Sequence, residues 1–156
     1  MPRVFTVTGG AAKSIVANTP TSLISLVGPA TAMFSATAVN VSFDGVVASE
    51  KPILIELCQS TEAGAATGAT ITPTQIQGNV VAWGGVAKNQ ITVEPTVLTP
   101  IWHWQLTPNG GVLEEILPLD REYQPTAVSK GLVLRVTSQA GAATVNARAS
   151  MAFVPD

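Results

Sequence analysis

Trp102-His103-Trp104 is the run in this chain whose residue types and spacing first suggest chemistry. On an extended strand, alternate side chains point to opposite faces, so the two indoles share one face and His103 takes the other. Paired indoles can stack on a sugar ring, or they can fill a core or a subunit contact, where tryptophan is common. His103 is the only histidine. A histidine metal site or a nucleophile–histidine triad would therefore rest on this one residue. Trp83 and Tyr123 are the remaining aromatic side chains with a polar tip. With Trp102, His103 and Trp104 they form the candidate interface set.

The carboxylates are the next candidates. Glu114-Glu115 and Asp120-Arg121-Glu122 contain enough acids for a glycosidase pair. Adjacent strand residues diverge, so Glu114 and Glu115 cannot act together, and Asp120 to Glu122 fall in a polar loop where charge is expected. Glu56 interrupts an apolar strand and should be paired with an arginine such as Arg135 or Arg148. The single cysteine, Cys58, excludes an internal disulfide and a cysteine metal site, and its neighbours Leu54 and Leu57 predict a buried, poorly reactive thiol. Gly64 to Gly68 lacks the Gly-Lys-Ser/Thr ending of a phosphate loop. No catalytic constellation assembles, so the expectation is a protein that is not an enzyme and uses no cofactor or metal.

Composition narrows the class. Charged residues make up 12% of the chain and apolar ones 46%, and the mean hydropathy is +0.35. A freely soluble domain usually carries about twice that share of charge. The shortfall points to a body whose surface is covered by neighbours, and hence to a homo-oligomer or assembly component. The eight lysines and arginines are scattered and the net charge is −2, which argues against a nucleic-acid partner. No charge occurs between Lys13 and Asp44, but Pro20, Pro29 and recurrent Ser and Thr break that stretch, which argues against a membrane span. Met1 to Gly10 lacks the apolar run of a secretory leader.

Strands carry these residues. Val39, Val41 and Phe43 alternate with Asn40 and Ser42, and Asp44-Gly45 supplies turn chemistry. Ile53 to Gln59 is a second strand, with Ile53, Ile55 and Leu57 on one face. Residues 60 to 70 read as a Gly-rich loop, followed by a short strand at Ile71 to Gln77. Residues 78 to 97 read as a long excursion with one short strand at Gln90 to Glu94, and loops of that length usually contact something. Leu98 to Leu106 carries the tryptophans. Thr107-Pro108-Asn109-Gly110-Gly111 is a hairpin signal, from which Val112 to Leu117 returns. Gly131 to Ser138 and Ala143 to Val154 complete the set, the latter with the cleanest alternation. With a strand near Ser22 to Val27, this makes about eight strands and no helix. The expected fold is all-β: an antiparallel two-sheet sandwich, jelly-roll-like. Residues 1–20 are expected to form an extended N-terminal arm, and residues 21–156 a single sandwich domain.

Several segments occur together in order. They are VSFDGVVASEKPILIEL (Val41 to Leu57), STEAGAATGAT (Ser60 to Thr70), QIQG (Gln75 to Gly78), VEPTVLTPIW (Val93 to Trp102), PNGG (Pro108 to Gly111), PLDRE (Pro118 to Glu122), KGLVLRVTS (Lys130 to Ser138) and VNARASMAF (Val145 to Phe153). The ordered set, from Val39 to Phe153, resembles a group of small β proteins encoded by tailed phages of actinobacteria and by related prophages. Members often carry an arginine-rich segment after the QIQG position, whereas Asn79 to Val86 here is apolar and Gly-rich. The resemblance implies a virion structural protein made in the host cytoplasm. Capsid decoration on the phage head surface is the leading role, with the major capsid protein as partner and a homotrimer favoured. A tail or fibre component with a carbohydrate-binding role is the alternative. The resemblance supplies no catalytic residues.

Overall fold

Alternation from Val145 to Phe153 builds the spine of the molecule. In the computed structural model, which describes residues 3–44, 51–61, 66–79, 81–109, 111–118, 120–142 and 144–156, no described residue is helical. Two antiparallel sheets of six strands each face one another. The first runs β10 (Val112–Ile116), β4 (Phe34–Phe43), β12 (Val145–Pro155), β1 (Val4–Thr8) and β7 (Thr74–Gln77), with β2 (Lys13–Ile15) also on β12. The second runs β6 (Thr67–Ile71), β8 (Val86–Val93), β3 (Thr21–Val27), β11 (Gly131–Thr137), β5 (Ile53–Ser60) and β9 (Leu98–Leu106). Val145, Ala147, Ala149, Met151 and Phe153 of β12 are buried between the sheets, while Asn146 and Arg148 lie exposed on the outside. Facing them from the second sheet are Leu26, Leu132, Leu134, Ile55 and Leu57, all fully buried. Phe153 stacks on Phe5 at 5.6 Å and meets Phe34 edge-on at 5.7 Å, which closes one end of the core.

The sandwich expectation holds, but the inventory differs: twelve strands, not about eight. The short strand expected at Ile71 to Gln77 begins only at Thr74, as β7, while Thr67 to Thr70, expected in the Gly-rich loop, form β6 with Ile71 in the other sheet; the two strands part at Pro73, which has no N–H to give to a ladder. The excursion of residues 78–97 contains the eight-residue β8, paired with both β3 and β6. Its Asn89 is polar yet buried, its Val86 and Val93 are apolar yet exposed, and Gln90 adopts φ 47°, so the alternation that would have marked it is broken. The hairpin expected at Thr107 to Gly111 is also corrected. The chain there leaves the second sheet after β9 and enters the first as β10, beside β4. No two consecutive strands pair with one another among those described. Connections that pass from sheet to sheet let successive strands bury their apolar faces against each other across the core. Gly45 of the expected turn and residues 62–65 of the expected Gly-rich loop lie outside the described residues.

The N-terminal arm is the largest correction. Phe5 is 3% exposed, Val7 3% and Ile15 fully buried, so residues 4–15 belong to the sandwich. β1 and β2 run along one side of β12 as a single interrupted strand, with Phe5 opposite Phe153 and Ile15 opposite Val145. At the interruption, Gly9 N–H donates to Ala149 O at 2.8 Å. Gly10 takes φ 76°, a left-handed conformation that glycine adopts without strain. The bulged end of β8 fastens this kink. Asn89 donates to Thr8 O at 3.0 Å, Gln90 donates to Gly9 O and Ala11 O, each at 2.7 Å, and Lys13 Nζ donates to Ile91 O. Gly9-Gly10 and Pro20 suggest a free arm, but the side chains of Asn89 and Gln90 on β8 and the segment's own Lys13 anchor it.

Candidate functional site

β9 is an edge strand, and it carries three of the five candidate residues. Among the described strands it pairs with β5 alone, placing Trp104 opposite Ile55, Trp102 opposite Leu57 and His103 opposite Glu56. Both indoles therefore lie on the core side of the sheet, as their spacing requires. Trp104 packs against the core. Trp102 remains 49% exposed. Its ring lies beside Tyr123, with centroids 6.1 Å apart and planes tilted by 37°.

Tyr123 is placed there by an isolated β-bridge from its loop to Ala36 on β4. Ala36 N–H donates to Tyr123 O at 2.8 Å, and Tyr123 N–H donates to Ala36 O at 3.2 Å. Next to it, Gln124 Nε2 donates to Ser35 Oγ at 2.9 Å, and Gln59 Nε2 donates to Gln124 O at 2.7 Å. The loop after β10 is thus fastened to both sheets. Partial burial raises the Tyr123 phenol above its ordinary value, and the charge of Glu115 adds to this.

The other candidates do not join this pair. His103 is exposed on the outer face, where the register aligns it with Glu56 and Arg135 across three strands. Arg135 Nε and Nη2 both donate to Glu56 Oε2, at 3.0 and 2.8 Å, so the paired carboxylate expected in this strand is present. Trp83 lies against Phe153 at 4.8 Å and Phe34 at 5.9 Å, packed on the core, with its indole N–H buried and unpartnered. Glu114 and Glu115 diverge on β10, the first exposed and the second half-buried. Among the described residues, no three of His, Cys, Asp and Glu converge to hold a metal ion. What the site offers is a half-exposed aromatic pair with amide groups beside it, a surface suited to being covered or to stacking.

Sequence reasoning missed a second feature. The outer face of the first sheet holds a hollow of about 530 Å³, lined by Val4, Ala38, Ile116 and Val154 and rimmed by Asp120, Glu122 and Asp156. Its lining comes from four strands and a loop that are remote in sequence. The one local signal was the alternation of β10, which sends Val112 and Ile116 outward.

No protein-family model and no curated protein matches the chain. A solved structure of infectious bursal disease virus, Gx strain, aligns over the whole chain at 13% identity with a TM-score of 0.23. The chain spans 41% of that viral chain. A likeness at this level carries no argument about function.

Proposed function

We propose that this chain is a non-catalytic structural protein of a tailed-phage virion, with decoration of the head exterior as its leading role. One observation carries the assembly part: β9, an open edge of nine residues with no lysine, glutamate, aspartate or arginine, leaves Trp102 49% exposed. Pro100 and the register shift beside it give this edge some protection, but it lacks the charge that proteins working alone usually add. Val112 and Ile116, 60% and 73% exposed at the far edge of the other sheet, add a second uncovered apolar site. Docking on a shell or on sister subunits would cover both. The ordered sequence resemblance supplies the phage context. A closed trimer seated on the major capsid protein fits this reading, because closed symmetry hides sticky edges without forming fibres.

Quantitative mass spectrometry of purified heads and tails from the source phage tests the proposal. Many copies on heads support decoration, and absence from heads and tails alike overturns the virion role. The Trp102–Tyr123 contact, with Gln59 and Gln124 beside it, favours one second reading, a tail or fibre component that stacks a sugar. A few copies on tails, with glycan binding lost in Trp102→Ala, would select that reading.

A further inference from the structure

The outer face of the first sheet is shaped and charged for one kind of partner. Its middle strands present small side chains: Ala38 and Asn40 on β4, Ser150 and Ala152 on β12, Thr6 on β1. Larger apolar groups stand at the sides. Ile116 on β10 is 73% exposed, the highest value for a large apolar side chain among the described residues. Val4 and Val154 line the far part. Two hollows, of about 530 and 220 Å³, share Ala38 and Ile116 and so form one trough. From the Glu114–Ser150 row to the Val154 end, the trough covers two steps of strand alternation, roughly 13 Å, which suits two or three side chains of an extended segment.

Its charge has one sign. Asp120, Glu122 and Asp156 line the larger hollow and Glu114 the smaller, and no lysine or arginine lines either. The wall that carries two of these acids is held in place. Arg121 N–H donates to Pro118 O at 3.1 Å, and the Tyr123–Ala36 bridge and the Gln124–Ser35 bond follow directly after it. A fixed wall spares a partner the entropic cost of ordering it.

We propose that this trough docks an apolar protein segment flanked by lysine or arginine. Apolar side chains fill the floor over Ala38 and Ala152, and the basic flanks meet the acidic rim. The inference deepens the virion reading and rests on it for the source of the segment, an exposed strand or arm of the shell protein.

The probe is a pair of capped peptides, Lys-Leu-Ile-Leu-Lys and Glu-Leu-Ile-Leu-Glu, titrated into the methyl-labelled protein and followed by NMR. The lysine peptide should shift the Ile116, Val4, Val154 and Ala38 methyls saturably. The glutamate peptide should bind about tenfold more weakly, equivalent to about 1.4 kcal/mol. The lysine peptide should weaken by a similar factor in the Asp120→Asn/Glu122→Gln variant, whose two changes sit on the surface and spare the core. Ala38→Trp, confirmed folded by its spectrum, should remove binding by filling the floor. Equal affinity for the two peptides, shifts centred on Trp102 and Tyr123, or no saturable shift at millimolar peptide would each overturn the proposal. Sedimentation with phage heads separates it from the broader reading. Wild-type protein that ignores heads sinks the virion role, whereas heads that bind wild type and Asp120→Asn/Glu122→Gln equally sink only the trough.

Discussion

Cys58 and Glu56 sit two residues apart on β5 and meet different fates. Cys58 is fully buried, and burial pushes its thiol from 9.0 up to about 11, with Arg135 opposing and Glu56 adding to the rise. The folded state therefore holds the proton after the unfolded chain has lost it. Stability contributed by this residue is intact below pH 9.0 and falls as pH rises towards 11. The difference is worth about 3 kcal/mol at most. Denaturation of wild type and Cys58→Ala across this range should show the wild type losing its relative advantage as pH rises. A constant difference would contradict the assignment. Native Cys58 should also resist thiol reagents at pH 8 until the protein is unfolded. At Glu56, the carboxylate accepts two hydrogen bonds from one guanidinium while only 12% exposed. Arg135→Ala strands that charge and should cost about 2 kcal/mol in urea denaturation, whereas replacing both residues by leucine should cost roughly half as much.

The decisive element is the N-terminal segment. Gly9-Gly10 and Pro20 suggest a segment separable from the body. In the fold, β1 stands between β12 and β7, and Phe5 stacks on Phe153 with planes only 16° apart. Removing residues 1–20 would expose the flank of β12 and strip Phe5, Val7 and Ile15 from the core. The truncated protein should be insoluble or lack dispersed amide resonances, and a soluble, folded truncation would refute this placement. Phe5→Ala isolates the packing contribution and should destabilise by about 3–5 kcal/mol, read from chemical denaturation. β3 makes the opposite point. Its seven uncharged residues are buried on both faces, with Ser22 N–H donating to the Glu94 carboxylate at 2.9 Å. The run of uncharged residues that contained it was therefore the mark of a central strand.

For the molecule as a whole, topology sets the expected folding behaviour. β12, the twelfth strand described, pairs with β1, β2 and β4, so the first sheet cannot form until this strand is present. β11 is likewise needed to join β3 to β5 in the second sheet. With no consecutive strands paired, each ladder closes a long loop before it gains stability. Refolding by stopped-flow fluorescence should therefore take milliseconds to seconds or longer, and a microsecond phase carrying the full amplitude would contradict this wrapping. The same wrapping leaves edges at β9, β10, β6 and β7. These uncovered edges, on a surface with so few charges, are what an assembly would have to cover.

Residue order alone shows that the fold is all-β, which residues of β4 and β12 share the apolar face, that Glu56 needs an arginine, and that Cys58 lies inside. Each is a local property, because period-two alternation and an isolated charge in an apolar strand are visible within a few residues. The same local reading placed Trp102 and Trp104 on one face but could not tell that Trp104 packs on the core while Trp102 stays half exposed beside Tyr123. That difference comes from packing between distant parts of the chain, as do the sheet each strand joins, the anchoring of residues 4–15 and the acidic trough over Ala38. The reason is physical: alternation says which side of a strand is apolar, whereas strand partners and surface hollows are set by contacts between residues far apart in the chain.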